Sequence, residues 1–168
     1  MRESEKTDKL SSVNSRNRLV IGIGNANRRD DAVGLIVARA LREEAPGIAQ
    51  VLEANGEGTA LMESWKQARA VFLIDAVQSG APPGTIHRFD ARAQAIAPNF
   101  FRYSTHAFGI AEAIELGRAL NQLPLQLVVY GIEGANFGAG EGLTPMVTRA
   151  AKQVVQAVLA ELQFQAKK

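Results

Sequence analysis

The sequence predicts a single α/β domain: a twisted, mainly parallel five-stranded sheet flanked by helices on both faces. Three observations carry this. Short apolar runs alternate with segments of helical periodicity through the body of the chain, the pattern of repeated strand–helix units. One run, Ala70–Ile74 (AVFLI), is apolar at every position, as in a strand covered on both faces. A chain of 168 residues, 46% hydrophobic and 21% charged, is about one domain with a sizeable core.

Arg18–Ile23 (RLVIGI) reads as the first strand, ending in a Gly24–Asn25 turn. Asp30 is placed to cap a helix through Glu44, with Val33, Ile36, Val37, Ala40 and Leu41 on its buried face. Pro46–Gly47 stops it. Gln50–Ala54 is a second strand, followed by a Gly56/Gly58 loop and a helix over Ala60–Gln67. Ala70–Ile74 is the central strand, and Pro82–Pro83–Gly84 turns the chain into an edge strand over Thr85–Phe89. An Ala-rich short helix ends at Pro98, and Asn99–Thr105 is loop. His106–Leu120 is a helix and Leu125–Ile132 (LQLVVYGI) the last strand. A glycine-rich loop, 134–142, leads to Thr144–Pro145, a cap with proline in the first turn of a helix that runs to Leu162. Its buried stripe is Val147, Ala151, Val154, Val158 and Leu162. The domain boundaries that follow are a disordered polar tail over 1–17, the folded body over 18–163 and a basic tail over 164–168.

Composition excludes several chemistries. With no cysteine, the chain builds no disulfide scaffold, thiolate zinc site, iron–sulfur site or cysteine nucleophile. With only His87 and His106, it builds no all-histidine metal site. The formal charge of +2 belongs to the tails: residues 18–162 carry 13 Lys/Arg against 14 Asp/Glu. That is no footprint for nucleic acid. No run has the length of a membrane span and no secretory h-region is seen, so a cytoplasmic chain is expected.

In an open α/β sheet, ligands bind beyond the carboxyl ends of the strands. Four features fall there. Gly22-Ile23-Gly24 lacks the third glycine of a dinucleotide fingerprint, Asn27 standing in its place, and reads better as a tight turn with positive φ. Of Asp30–Asp31, one carboxylate suffices for a helix cap, which leaves Asp31 free to bind a ligand. Asp75 closes the apolar run VFLI, where a carboxylate is costly unless it is paired, hydrogen-bonded or metal-bound. His106, at an expected helix start, is kept neutral by the positive helix end and able to ligate. Asp31, Asp75 and His106 each follow a different strand, and together would make a three-ligand site with open positions for a divalent ion. Each also has a purely structural reading: cap, turn residue, or locally satisfied histidine. His87, inside the edge strand beside Arg88, reads as surface structure.

Four blocks resemble the hydrogenase maturation endopeptidases: GIGNANRRDDAVG (22–34), FLIDAV…PPGTI (72–86), STHAFGIAEAIEL (104–116) and GIEGANFGAGEGLTPMV (131–147). The resemblance implies an endopeptidase that removes a C-terminal peptide from the precursor of a nickel–iron hydrogenase large subunit after nickel insertion. It places the family's nickel-contacting positions on Asp31, Asp75 and His106. It implies no permanently bound cofactor, the nickel being presented by the substrate, with hydrolysis assisted by a catalytic carboxylate, Asp31 or Asp75, that activates water, or by the nickel polarising the scissile carbonyl. The chain departs from the family in having aspartate at 31 where some members have glutamate. Ala107 stands where glutamine is frequent, and Gly134 where proline is common. The glycines of 134–142 suggest a mobile lip over the substrate tail. The competing readings are a non-catalytic metal-binding or chaperone module and a peptidyl-tRNA-hydrolase-like hydrolase. The second shares the opening Gly-x-Gly-Asn but needs a histidine where Arg28-Arg29-Asp30-Asp31 stands.

Overall fold

Six consecutive buried residues, Arg18–Ile23, form β1 in the interior of the sheet of the computed structural model. The structure describes residues 17–101 and 107–166. Strands β2 (Gln50–Ala54), β3 (Ala70–Val77), β4 (Ile86–Asp90) and β5 (Gln126–Glu133) complete a five-stranded sheet in the order β2-β1-β3-β5-β4. All neighbours are parallel except β4 with β5. The all-apolar run lies in the middle strand, β3, which is buried at all eight positions. β3 outlasts that run: Asp75, Ala76 and Val77 stay in register with Gly131, Ile132 and Glu133. Asp75 is thus inside the last turn of the ladder rather than beyond it.

Helices α1 (Val33–Glu44) and α4 (Pro145–Ala166) cover one face, with Val33, Val37, Leu41, Val147, Val154 and Val158 against Phe72, Ile74 and Val128. Helices α2 (Gly58–Trp65) and α3 (Ile110–Ala119) cover the other, with Leu61, Trp65, Ile110 and Ile114 against Ile21, Val71 and Leu73. Every residue of the predicted α4 stripe is buried. Helix α1 sits closer to the sheet than its periodicity implies. A Cβ on Gly22 would lie 2.2 Å from the Gly34 carbonyl oxygen, and one on Gly34 2.3 Å from that of Ile23. Gly22 therefore serves close approach, while the positive φ expected of this turn is taken by Gly24. Seating Gly34 and Ala38 against β1 leaves Ile36 on the exposed side of α1 and Ala40 half-buried.

Other expectations shift at their boundaries. Asp30 does not cap α1, which begins at Val33 after a 3-10 turn over Arg29–Ala32. Pro98 opens a 3-10 turn, Pro98–Phe101, instead of ending a helix. Helix α3 starts at Ile110, not at 106, with the Glu112 carboxylate accepting from the Gly109 N–H at 3.0 Å. Helix α4 runs on to Ala166, past the expected start of a C-terminal tail. Asn17, expected in the N-terminal tail, is tied to the body: its carbonyl accepts from the N–H groups of Arg69 and Ala70. The rest of the expected N-terminal tail, 1–16, and Lys167–Lys168 lie outside the described residues. Among the described residues no helix is long and apolar enough to cross a membrane.

Candidate functional site

Strand β1 lies between β2 and β3, so the chain leaves it to one side and returns on the other. Such a reversal opens a crevice at the carboxyl ends of β1 and β3. Asp31 follows the first of these strands and Asp75 lies at the end of the second, so the topology brings the two together. Asp75 is 8% exposed. Its carboxylate accepts from the N–H of its own neighbour Ala76 at 2.8 Å. Burial pushes the Asp75 carboxyl well above its ordinary range, the charge of Asp31 pushes it further, and the Ala76 N–H opposes them. Asp31 is half-buried; burial raises its carboxyl too, against the Arg28 charge and the backbone of Asn25. A buried carboxyl raised further by a second carboxylate's charge forms, with that carboxylate, a site that favours a cation.

Asp30, next in sequence, has the opposite environment. It is completely buried and its carboxylate is saturated. Oδ2 accepts from the N–H groups of Ala135 and Asn136, each at 2.9 Å, and from the Thr144 hydroxyl at 3.0 Å. Oδ1 accepts from the Thr144 N–H at 2.7 Å. The same loop is bound again by Arg29 N–H to Gly140 O, Gly140 N–H to Asn27 O, and Arg28 Nε to Phe137 O. Phe137 closes over the α1–α4 core. The glycine-rich loop, expected as a lip over the substrate tail, is clasped to the loop after β1. Thr144, expected to cap α4, turns its hydroxyl to Asp30 instead.

His106 lies outside the described residues. The chain just after it is anchored: the Gly58 N–H donates to the Phe108 carbonyl at 2.9 Å. The Phe108 ring fills the space where a Cβ on Gly58 would stand. Among the described residues no three His, Cys, Asp or Glu side chains gather at metal-ligand range. Asp31 and Asp75 thus supply a pair, to which a third donor must be added for a cation to be held firmly.

Two residues of this region depart from what the sequence predicts, His87 and Glu133. His87 is not simply a surface residue: its Nε2 is buried without a hydrogen-bond partner, 3.4 Å from Glu133 Oε2. Glu133 is 1% exposed, and accepts from the Ser79 hydroxyl at 2.8 Å and the Gly80 N–H at 2.9 Å. A usable signal was present. Glu133 ends an apolar strand as Asp75 does, so the argument from the cost of burying charge applies equally to it.

Residues 36–161 match the family model described as hydrogenase maturation protease. That span takes in Asp75 and His106 and begins just after Asp31. The chain is 27% identical over 148 residues to the hydrogenase 2 maturation protease of Escherichia coli strain K12, covering 86% of this chain and 89% of that protein. It is 28% identical over 152 residues to the hydrogenase expression/formation protein HupD of Thiocapsa roseopersicina, covering 82% and 67%. A solution structure of an endopeptidase from Escherichia coli superimposes with a TM-score of 0.75 at 25% identity, covering 89% of this chain and 93% of that one.

Proposed function

The chain belongs to the hydrogenase maturation proteases, and from that membership we propose that it removes a C-terminal peptide from the precursor of a nickel–iron hydrogenase large subunit after nickel insertion, in the cytoplasm. The nickel is part of the substrate, held by the precursor. Asp31, Asp75 and His106 contact it and so locate the scissile bond. One observation carries this reading: two carboxylates share the crevice at the strand ends, and Asp75 is buried with one hydrogen bond, from the Ala76 N–H, and a like charge beside it. Such a pair gains from a cation brought to it.

In the hydrolysis, a water oxygen attacks the scissile carbonyl while a carboxylate of the pair accepts its proton. A carboxyl raised toward neutrality is a better base for this than an ordinary one. The proton passes to the departing amine nitrogen as the C–N bond breaks, leaving a new carboxyl terminus and a free peptide. The family match sets aside the peptidyl-tRNA-hydrolase reading, and the relatives' description as proteases sets aside a non-catalytic module.

The test mixes the purified chain with nickel-loaded and nickel-free precursor and follows precursor mass. Loss of a short C-terminal peptide from the nickel-loaded form alone is expected. An intact nickel-loaded precursor overturns the reading. Asp31→Ala, Asp75→Ala and His106→Ala are each expected to slow cleavage by about 100-fold or more, the scale of a misplaced reacting group. Wild-type rates in any of them would remove that residue from the site.

A further inference from the structure

The Gly-Ile-Glu end of β5 has no part in the reaction described above, yet it holds a carboxylate only 1% exposed beside Asp75's strand. Glu133 pairs with Val77, the last residue of β3. Its two oxygens accept from Ser79 and Gly80, four and five residues past Asp75. Its backbone binds the far side of the same loop, donating to Thr85 O at 2.9 Å and accepting from the Gly84 N–H at 2.8 Å. The chain that leaves Asp75 is thus wrapped around Glu133.

His87 completes the arrangement. It lies opposite Gly131, which lies opposite Asp75, so the three occupy one cross-strand row. Partners in a row project to the same face of a sheet. Gly131 has no side chain, and a Cβ there would be 2.7 Å from the Phe100 ring, which fills the row between Asp75 and His87. That ring meets His87 and Phe89 edge-on, each with centroids 4.9 Å apart. Held in this way, His87 brings its unpartnered Nε2 to 3.4 Å from Glu133 Oε2, while its side chain as a whole keeps 22% exposure. A proton on Nε2 makes this a donor–acceptor approach. A proton on Nδ1 alone would set two lone pairs against each other in a buried place.

We infer that His87 and Glu133 are positioning residues for the cleavage: His87 donates through Nε2 to Glu133, which in turn holds the Ser79–Gly80 loop and so sets where the end of β3, with Asp75, stands. Carboxylate–imidazole pairs that orient a reacting group through an intermediate act in this manner. The inference rests on the proposed role of Asp75, so its test has one arm that does not need the cleavage reaction.

That arm is nitrogen-15 NMR of the imidazoles, in which the two histidines of the chain are told apart with His87→Gln. His87 is expected as the Nε2–H form with a slowly exchanging proton, and Glu133→Gln is expected to speed that exchange. An Nδ1–H form, or exchange unaffected by Glu133→Gln, overturns the pair. The second arm is kinetics on the nickel-loaded precursor. His87→Phe keeps the ring packing and loses the donor; it is expected to lower kcat about 10-fold with little change in KM. His87→Gln, whose amide nitrogen can reach the Nε2 position, is expected to stay within about threefold of wild type, whereas the shorter His87→Asn is not. Glu133→Gln combined with His87→Phe is expected to cost no more than the worse single change. Wild-type kcat in His87→Phe, or additive losses in the double variant, overturns the inference. If wild type itself leaves the precursor intact, the proposed cleavage fails while the imidazole spectra still decide the pair. Thermal unfolding of each variant checks that it is folded. Should His87→Phe not fold, His87→Gln against His87→Asn decides.

Discussion

Asp30 and Asp31 are neighbours in the chain and opposites in the fold. Asp30 is sealed under the 134–144 loop with four donors on its two oxygens. Asp31 is half-buried at the crevice, beside an Asp75 that receives a single hydrogen bond from the next residue. A buried carboxylate with its acceptor sites filled is part of the framework. A buried carboxylate left short of donors, next to another of its kind, costs the fold stability and is retained where a ligand uses it. Side-chain satisfaction, more than sequence position, separates the clasp from the site.

The largest effect that would break this contrast is loss of the clasp. Asp30→Ala strands the N–H groups of Ala135, Asn136 and Thr144 and is expected to cost about 4 kcal/mol of stability. Denaturant unfolding measures it. A loss below about 1 kcal/mol would mean the loop is held by its other bonds.

The site should answer with the opposite sign. Asp75→Asn removes a buried charge facing Asp31, and is expected to raise stability at neutral pH by about 1–2 kcal/mol, while abolishing cleavage. A destabilised Asp75→Asn would show that the charge supports the fold after all.

The same contrast has a pH signature. Asp75's carboxyl titrates well above its ordinary value near 3.8 in the folded chain, and Asp31 shifts in the same direction. Above that value the folded chain therefore holds more protons than the unfolded one. The stability these groups contribute is complete below the unfolded value and is lost as pH rises through their raised folded values. Unfolding midpoints of wild type and Asp75→Asn should thus nearly coincide at about pH 4 and separate by about pH 8, with the variant the more stable. Equal gaps at both ends would remove burial of Asp75 as the cause.

The smallest effect concerns a carboxylate that is neither clasp nor site. Glu161 receives Arg88 through two bonds, at 2.7 and 2.8 Å, on the exposed side of β4. Arg88→Ala is expected to change stability by less than about 1 kcal/mol and to leave cleavage unchanged.

How much of this was legible beforehand follows from the range of the interactions concerned. The bounds of β1 and β2 agree residue for residue with their apolar runs, since alternation and turn residues act over a few positions. The demand of Asp75 also depends only on its neighbours: a carboxylate toward the end of an apolar strand needs a partner wherever that strand goes. The departures involve distant partners. The local setting of Asp30 suits a helix cap, but its partners stand 105 to 114 residues away. The periodicity of α1 shows which side is apolar, not that Gly22 and Gly34 let the helix sink until Ile36 faces out.

Local chemistry alone, then, sets the order and kind of the elements and puts a carboxylate after β1 and at the end of β3. Long-range packing alone decides which carboxylates become satisfied. It closes the 134–144 loop over Asp30, leaves Asp75 short of donors beside Asp31, and turns His87 inward to Glu133. The reason is physical: propensity and periodicity act through adjacent residues, whereas burial and hydrogen-bond partners exist only once distant strands lie side by side.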